Sequence, residues 1–170
     1  MPNQNNIFLI GLMGTGKTTV GRQLSRKLKM PFFDSDRVIE ERTGADIPLI
    51  FEKEGEAGFR KREMAIIDEL TQKKNIILAT GGGAVLEAAN RNNLVNRGTV
   101  FYLKSNLETL VQRTGKDKNR PLLHSDEPAE VILKRLLEQR GPLYEETADY
   151  VIETANNSIH GVIQAIIKAL

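Results

Sequence analysis

The 170-residue chain contains no cysteine and no tryptophan. Without cysteine there are no disulfides, no thiolate metal ligands and no thiol nucleophiles, so a disulfide-built secreted scaffold is excluded. Aromatic residues make up only 5%, too few for the stacking platforms that hold single-stranded nucleic acids. Neither sign of charge dominates: 24 Lys and Arg stand against 22 Asp and Glu, a formal net charge of +2, so no global field draws the chain to a polyanion. No apolar run approaches the roughly 20 residues of a membrane span, and the opening MPNQNNIFLI has no basic region ahead of its four apolar residues. The expectation is a cytoplasmic monomer with neither nucleic acid nor membrane as partner. What remains is ordinary globular composition, 40% apolar and 27% charged, at the length of a single domain over residues 1–170.

Short apolar runs recur with helical patterns between them. Ile7–Ile10, Ile76–Ala79, Val100–Leu103 and Tyr150–Ile152 are continuous rather than alternating, the pattern of strands covered on both faces, and Phe32-Phe33 is a fifth, shorter candidate. Val20, Leu24 and Leu28 fall four apart, and Ile159, Val162, Ile163, Ile166, Ile167 and Leu170 follow an amphipathic helical spacing. Strand and helix alternate, which predicts an α/β domain of three layers, a five-stranded parallel sheet with helices on both faces. Ligands of such sheets bind at the carboxyl ends of the strands.

One such end carries a phosphate-binding loop. Gly11-Leu-Met-Gly-Thr-Gly-Lys17-Thr18 follows the first apolar run and leads into the Val20 helix, the strand–loop–helix setting that a P-loop requires. Gly14, Thr15, Gly16, Lys17, Thr18 and Thr19 are the candidate nucleotide contacts. Glycines let backbone N–H groups close on phosphate oxygens, and the helix N-terminus adds partial positive charge. Lys17 is expected at the β- and γ-phosphates and the Thr18 hydroxyl in a Mg²⁺ shell, so ATP and Mg²⁺ are the expected cofactors. The strand ending at Ala79 runs into Thr80-Gly-Gly-Gly83 with no acid. The nearest acids at a strand end are Asp34 and Asp36, which an extended segment would point to the same side. One is available for the metal and the other as a general base on a substrate hydroxyl, while Asp34 serves equally as an N-cap of the following helix.

Charge is uneven along the chain. From Asp34 to Glu56 eight acids stand against Arg37, Arg42 and Lys53, the pattern of a solvated face. Arg113, Lys116, Lys118 and Arg120 cluster around the turn-forming Thr114–Pro121, which reads as a mobile loop.

These residues together resemble a family. Gly11–Thr18, Asp34-Ser-Asp36, Gly55–Arg60 (GEAGFR), Thr80–Gly83, Arg120-Pro-Leu-Leu123 and Arg140-Gly-Pro-Leu-Tyr144 occur in the order and spacing of shikimate kinases, over essentially the whole chain. The resemblance implies ATP-dependent phosphorylation of the 3-hydroxyl of shikimate, a step toward chorismate and the aromatic amino acids. It implies a P-loop kinase fold like that of nucleoside-monophosphate kinases, with a substrate-binding helical insert at about 34–62 and a mobile lid at about 113–126. Carried over by motif, Arg60 and Arg140 hold the substrate carboxylate, and Asp36 activates the attacking hydroxyl. Gly81, Gly82 and Gly83 approach the ring, Asp34 holds the Mg²⁺ water shell, and Arg120 in the lid stabilises transferred charge. Arg113 lies against the adenine, with the loop to Asn157 on the other side. Tyr144 reads as packing, and Gly141 as a small residue that loosens the helix end carrying Arg140.

Two other readings remain. A gluconate-type kinase is disfavoured by the acid pair, the glycine triplet and Arg140. A GTPase switch or passive nucleotide module is disfavoured because no guanine-reading N/T-K-x-D signature occurs.

Overall fold

Five short strands, β1 (Ile7–Ile10), β2 (Phe32–Asp34), β3 (Ile77–Ala79), β4 (Thr99–Lys104) and β5 (Tyr150–Glu153), alternate with seven helices in a computed structural model that describes residues 5–114 and 127–170. The helices are α1 (Lys17–Leu28), α2 (Ser35–Thr43), α3 (Ile47–Thr71), α4 (Ala88–Arg97), α5 (Leu107–Thr114), α6 (Ala129–Thr147) and α7 (Ile159–Ala169). All strand pairs are parallel, in the order β2-β3-β1-β4-β5. The predicted three-layer architecture is the one observed.

The continuous apolar runs are explained by two cores, one on each face. Successive strand residues point to opposite sides: Phe8, Ile10, Leu78, Val100 and Tyr102 join a core with α3 and α6, whereas Ile7, Leu9, Ile77, Phe101 and Leu103 join another with α1 and α7. The fourth predicted run departs from this. β5 is an edge strand, with Tyr150 42% and Val151 43% exposed.

The acidic stretch folds as α2 and the start of α3, where Glu54 accepts from Arg62 at 2.7 Å. α3 continues to Thr71 but is broken at Gly55, whose φ of 71° suits a residue without a Cβ. Two expectations are corrected. Arg113 and Thr114 end a helix, α5, rather than open a loop. Gly141 and Pro142 lie inside α6, which runs on to Thr147, so Gly141 is not at a helix end, and Arg140 beside it is buried. Residues 115–126, most of the expected lid, lie outside the described residues.

The order of the strands puts the cleft in place. β1 feeds α1 toward β2 on one side, and β3 feeds α4 toward β4 on the other, so the loops after β1 and β3 part at the carboxyl ends of adjacent strands.

Candidate active site

The loop after β1 is shaped by backbone approach. A Cβ on Gly11 would stand 2.5 Å from the Leu103 carbonyl oxygen, and Gly14 and Gly16 have φ of 87° and 92°, conformations that favour glycine. Thr15 is buried and its hydroxyl donates to the Leu12 carbonyl at 3.0 Å, stapling the loop from inside. Gly16 caps α1 without a side chain, so the first amides of the helix face the loop. The Lys17 ammonium crosses the loop and donates to the Gly11 and Leu12 carbonyls at 2.6 and 2.8 Å. This cradle of glycines, amides and one ammonium fits a polyphosphate.

Asp34 takes the N-cap role the sequence left open for it and also reaches the first turn of α1. Its Oδ1 accepts from the amides of Asp36 and Arg37 at 3.1 and 3.4 Å as the N-cap of α2, and its Oδ2 accepts from the Thr18 hydroxyl at 2.9 Å. A hydroxyl and a carboxylate side by side form the all-oxygen donor set of a hard cation such as Mg²⁺. The acid pair is not in an extended segment, as the sequence suggested. Asp34 ends β2 and Asp36 lies in the first turn of α2, and both reach one cleft through this strand-to-helix turn.

That cleft, about 880 Å³, is lined by Gly14, Gly16, Lys17, Thr18 and Thr19, by both acids, by Gly81 and Gly82, and by Arg113 and Ile159. Arg113 donates to the Gly14 carbonyl at 3.1 Å, tying the end of α5 to the P-loop. Asn157 is exposed and turned toward the first turn of α7, where its Oδ1 would collide with a Cβ on Gly161. Ile159 is the side chain that enters the cleft from this segment. Arg120 lies outside the described residues.

Two buried guanidiniums stand at the glycine turn. A Cβ on Gly83 would fall 2.3 Å from Arg60 Nη2, and one on Gly82 would fall 3.5 Å from Arg140 Nη1. Both arginines are nearly inaccessible, at 8% and 2% exposed, and each has a buried Nε–H without an acceptor among the described residues. Burial lowers the Arg140 pKa, and Arg60 adds to this. Only a group as strongly basic as guanidine keeps its positive charge in such surroundings. Paired cations with unused donors are a receptor for an anion.

Glu63 is the site residue that sequence reading missed. It is fully buried and accepts from Arg60 Nη1 at 2.9 Å, while its Oε2 has no donor among the described residues. Burial pushes its carboxyl up to about 7, Arg60 opposes the rise and Asp36 adds to it. Glu63 and Asp36 face each other over Gly81, where a Cβ would meet both carboxylates. The readable signal was a charge within the apolar stripe of Phe59, Ile67 and Leu70, three residues after Arg60. Ser35, buried between the two acids, was missed as well; its Oγ accepts from the Gly81 amide at 3.1 Å.

The chain matches the shikimate kinase family model over residues 13–170. It is 54% identical over 170 residues to a shikimate kinase of Vibrio parahaemolyticus, covering 100% of this chain and 98% of the relative. To one of Burkholderia lata it is 56% identical over 165 residues, covering 97% and 89%. Among solved structures, the shikimate kinase from Acinetobacter baumannii in complex with shikimate superposes with a TM-score of 0.94 at 52% identity, over 97% of this chain and 92% of that one.

Proposed function

The chain belongs to the shikimate kinase family and is an enzyme that phosphorylates shikimate with ATP; we propose that the cleft described above does so at the 3-hydroxyl, with the following division of roles. The observation that carries this reading is the placing of Arg60 and Arg140 at the glycine turn, whose Gly81 and Gly82 line the cleft together with Asp36 and the P-loop.

Arg60 and Arg140 hold the substrate carboxylate with their unused N–H donors, which fixes the ring against Gly81, Gly82 and Gly83. Asp36, which lines the cleft together with the P-loop and the glycine turn, accepts the proton of the 3-hydroxyl as that oxygen attacks the γ-phosphorus. The bond from the γ-phosphorus to the oxygen bridging to the β-phosphate breaks in the same displacement, giving shikimate 3-phosphate and ADP. Glu63, which faces Asp36, is driven by burial to keep a proton near neutrality. Lys17 exchanges its loop carbonyls for phosphate oxygens, and the amides of Gly14, Thr15, Gly16 and Thr18 with the α1 terminus stabilise the charge spread over the phosphoryl group. Thr18 and Asp34 are the residues that would hold Mg²⁺ or its waters; when bound, the ion neutralises charge on the nucleotide phosphates. Thr19 and Arg113 flank the nucleotide on the open side.

A coupled assay of ADP release with ATP, Mg²⁺ and shikimate, with quinate and gluconate as controls, tests the reading. Turnover is expected with shikimate far above either control. Equal or greater turnover with gluconate would overturn it.

A further inference from the structure

The glycine turn after β3 owes the direction of its amides to residues elsewhere in the chain. The Gly81 amide donates to Ser35 Oγ, the Gly81 carbonyl accepts from the Ala84 amide at 3.1 Å, and the Gly83 carbonyl accepts from the Leu86 amide at 3.1 Å. The Gly82 carbonyl accepts from the Tyr144 hydroxyl at 2.5 Å. Among the described residues, this leaves the amides of Gly82 and Gly83 as the donors of the turn with no acceptor. A peptide unit is planar and trans, so its C=O and N–H point in opposite directions. A hydroxyl that holds the Gly82 carbonyl therefore also aims the Gly83 amide. Gly83 is the residue against which the Arg60 guanidinium lies.

Tyr144 is well placed to hold that direction. It follows Arg140 by four residues on α6, hence on the same helical face, and is fully buried with its ring stacked on Tyr102 at 4.9 Å. The Arg140 guanidinium acts on the phenol electrostatically. For packing alone a phenylalanine would do, without a hydroxyl to desolvate.

Resting on the reading of the site given above, we infer that Tyr144 is a positioning residue for the acid substrate: its hydroxyl turns the Gly83 amide into the anion receptor formed by Arg60 and Arg140. One bond on the Gly82 carbonyl thereby links α6, which carries one of the two arginines, to the turn that borders both.

The test is Tyr144→Phe in the full chain, with Tyr102→Phe as the companion that alters the same ring stack without touching the turn. Tyr144→Phe is expected to raise the shikimate KM about 10-fold, the loss of one hydrogen bond to a charged group, with kcat and the ATP KM within about twofold. Tyr102→Phe is expected to leave the shikimate KM where it is. A lowered melting temperature in both variants with neither shikimate KM moved would overturn the inference and leave a packing role. Should Tyr144→Phe not fold, amide exchange in the ¹⁵N-labelled wild type decides. Saturating shikimate is expected to slow exchange of the Gly83 amide at least about 10-fold, and unchanged exchange would overturn the inference. If the wild type itself fails to turn over shikimate, the functional reading falls and this inference with it; an active wild type with an unmoved KM in Tyr144→Phe defeats the inference alone.

Discussion

The Thr18 hydroxyl donates to Asp34 Oδ2 at 2.9 Å while Asp34 Oδ1 caps α2, so one carboxylate joins the nucleotide-binding helix to the turn that carries Asp36. The two oxygens can be separated by mutation. Thr18→Val removes the hydroxyl and leaves the cap, and is expected to lower kcat/KM for ATP at least about 10-fold and raise the Mg²⁺ requirement with little change in melting temperature. Asp34→Ala loses the cap as well and should also cost about 0.5–2 kcal/mol of stability. Kinetics across a Mg²⁺ series, with thermal melts of both variants, check this; equal melting temperatures would speak against the cap.

Arg60→Ala and Arg140→Ala should each raise the shikimate KM about 10-fold or more, with the ATP KM within about threefold. Arg60→Ala carries an additional cost, because it strands Glu63 in the interior without its cation. The double variant Arg60→Ala, Glu63→Gln should therefore melt higher than Arg60→Ala while binding shikimate no better. Urea denaturation beside steady-state kinetics separates the two effects.

Glu63 makes stability depend on pH. Its folded value of about 7 lies above the unfolded value of 4.5, so the folded chain binds the extra proton between them. The stabilisation due to that proton is fully present below about 4.5 and is lost as pH rises toward 7. Glu63→Gln removes this contribution. Stability measured by urea denaturation from pH 4.5 to 8 should fall less with rising pH in the variant than in the wild type, and parallel profiles would contradict the assignment.

Gly141→Ala is expected to stabilise the protein. The position is in the interior of α6, and apart from its chain neighbours and its own helix backbone a Cβ there would meet nothing within 4 Å. The gain should be about 0.5–1 kcal/mol, or roughly 1–4 °C in Tm, with the shikimate KM unchanged.

What was legible in the sequence was what is local along the chain. The phosphate loop is eight consecutive residues whose glycines, lysine and threonine act next to one another, and the central strands announced themselves because both faces are buried. Arg60, Arg140 and the glycine triplet, which the fold brings together, were singled out through the order and spacing of their motifs. The supports of these residues were not found, because they act across the fold. Ser35 meets Gly81 from 46 residues away, and Tyr144 meets Gly82 from 62. Glu63 was concealed among exposed helical acids such as Glu54, from which only burial sets it apart. The exposure of Tyr150 and Val151 in β5 was misjudged because an apolar run does not reveal that its strand lies at the edge of the sheet.

The central claim is spatial, and a crystal structure of the wild-type chain with ADP and shikimate tests it most directly. The account predicts the shikimate carboxylate between the guanidiniums of Arg60 and Arg140, with the 3-hydroxyl within hydrogen-bond reach of Asp36 and turned toward the nucleotide. A carboxylate bound elsewhere, or a 3-hydroxyl facing away from Asp36, would contradict it.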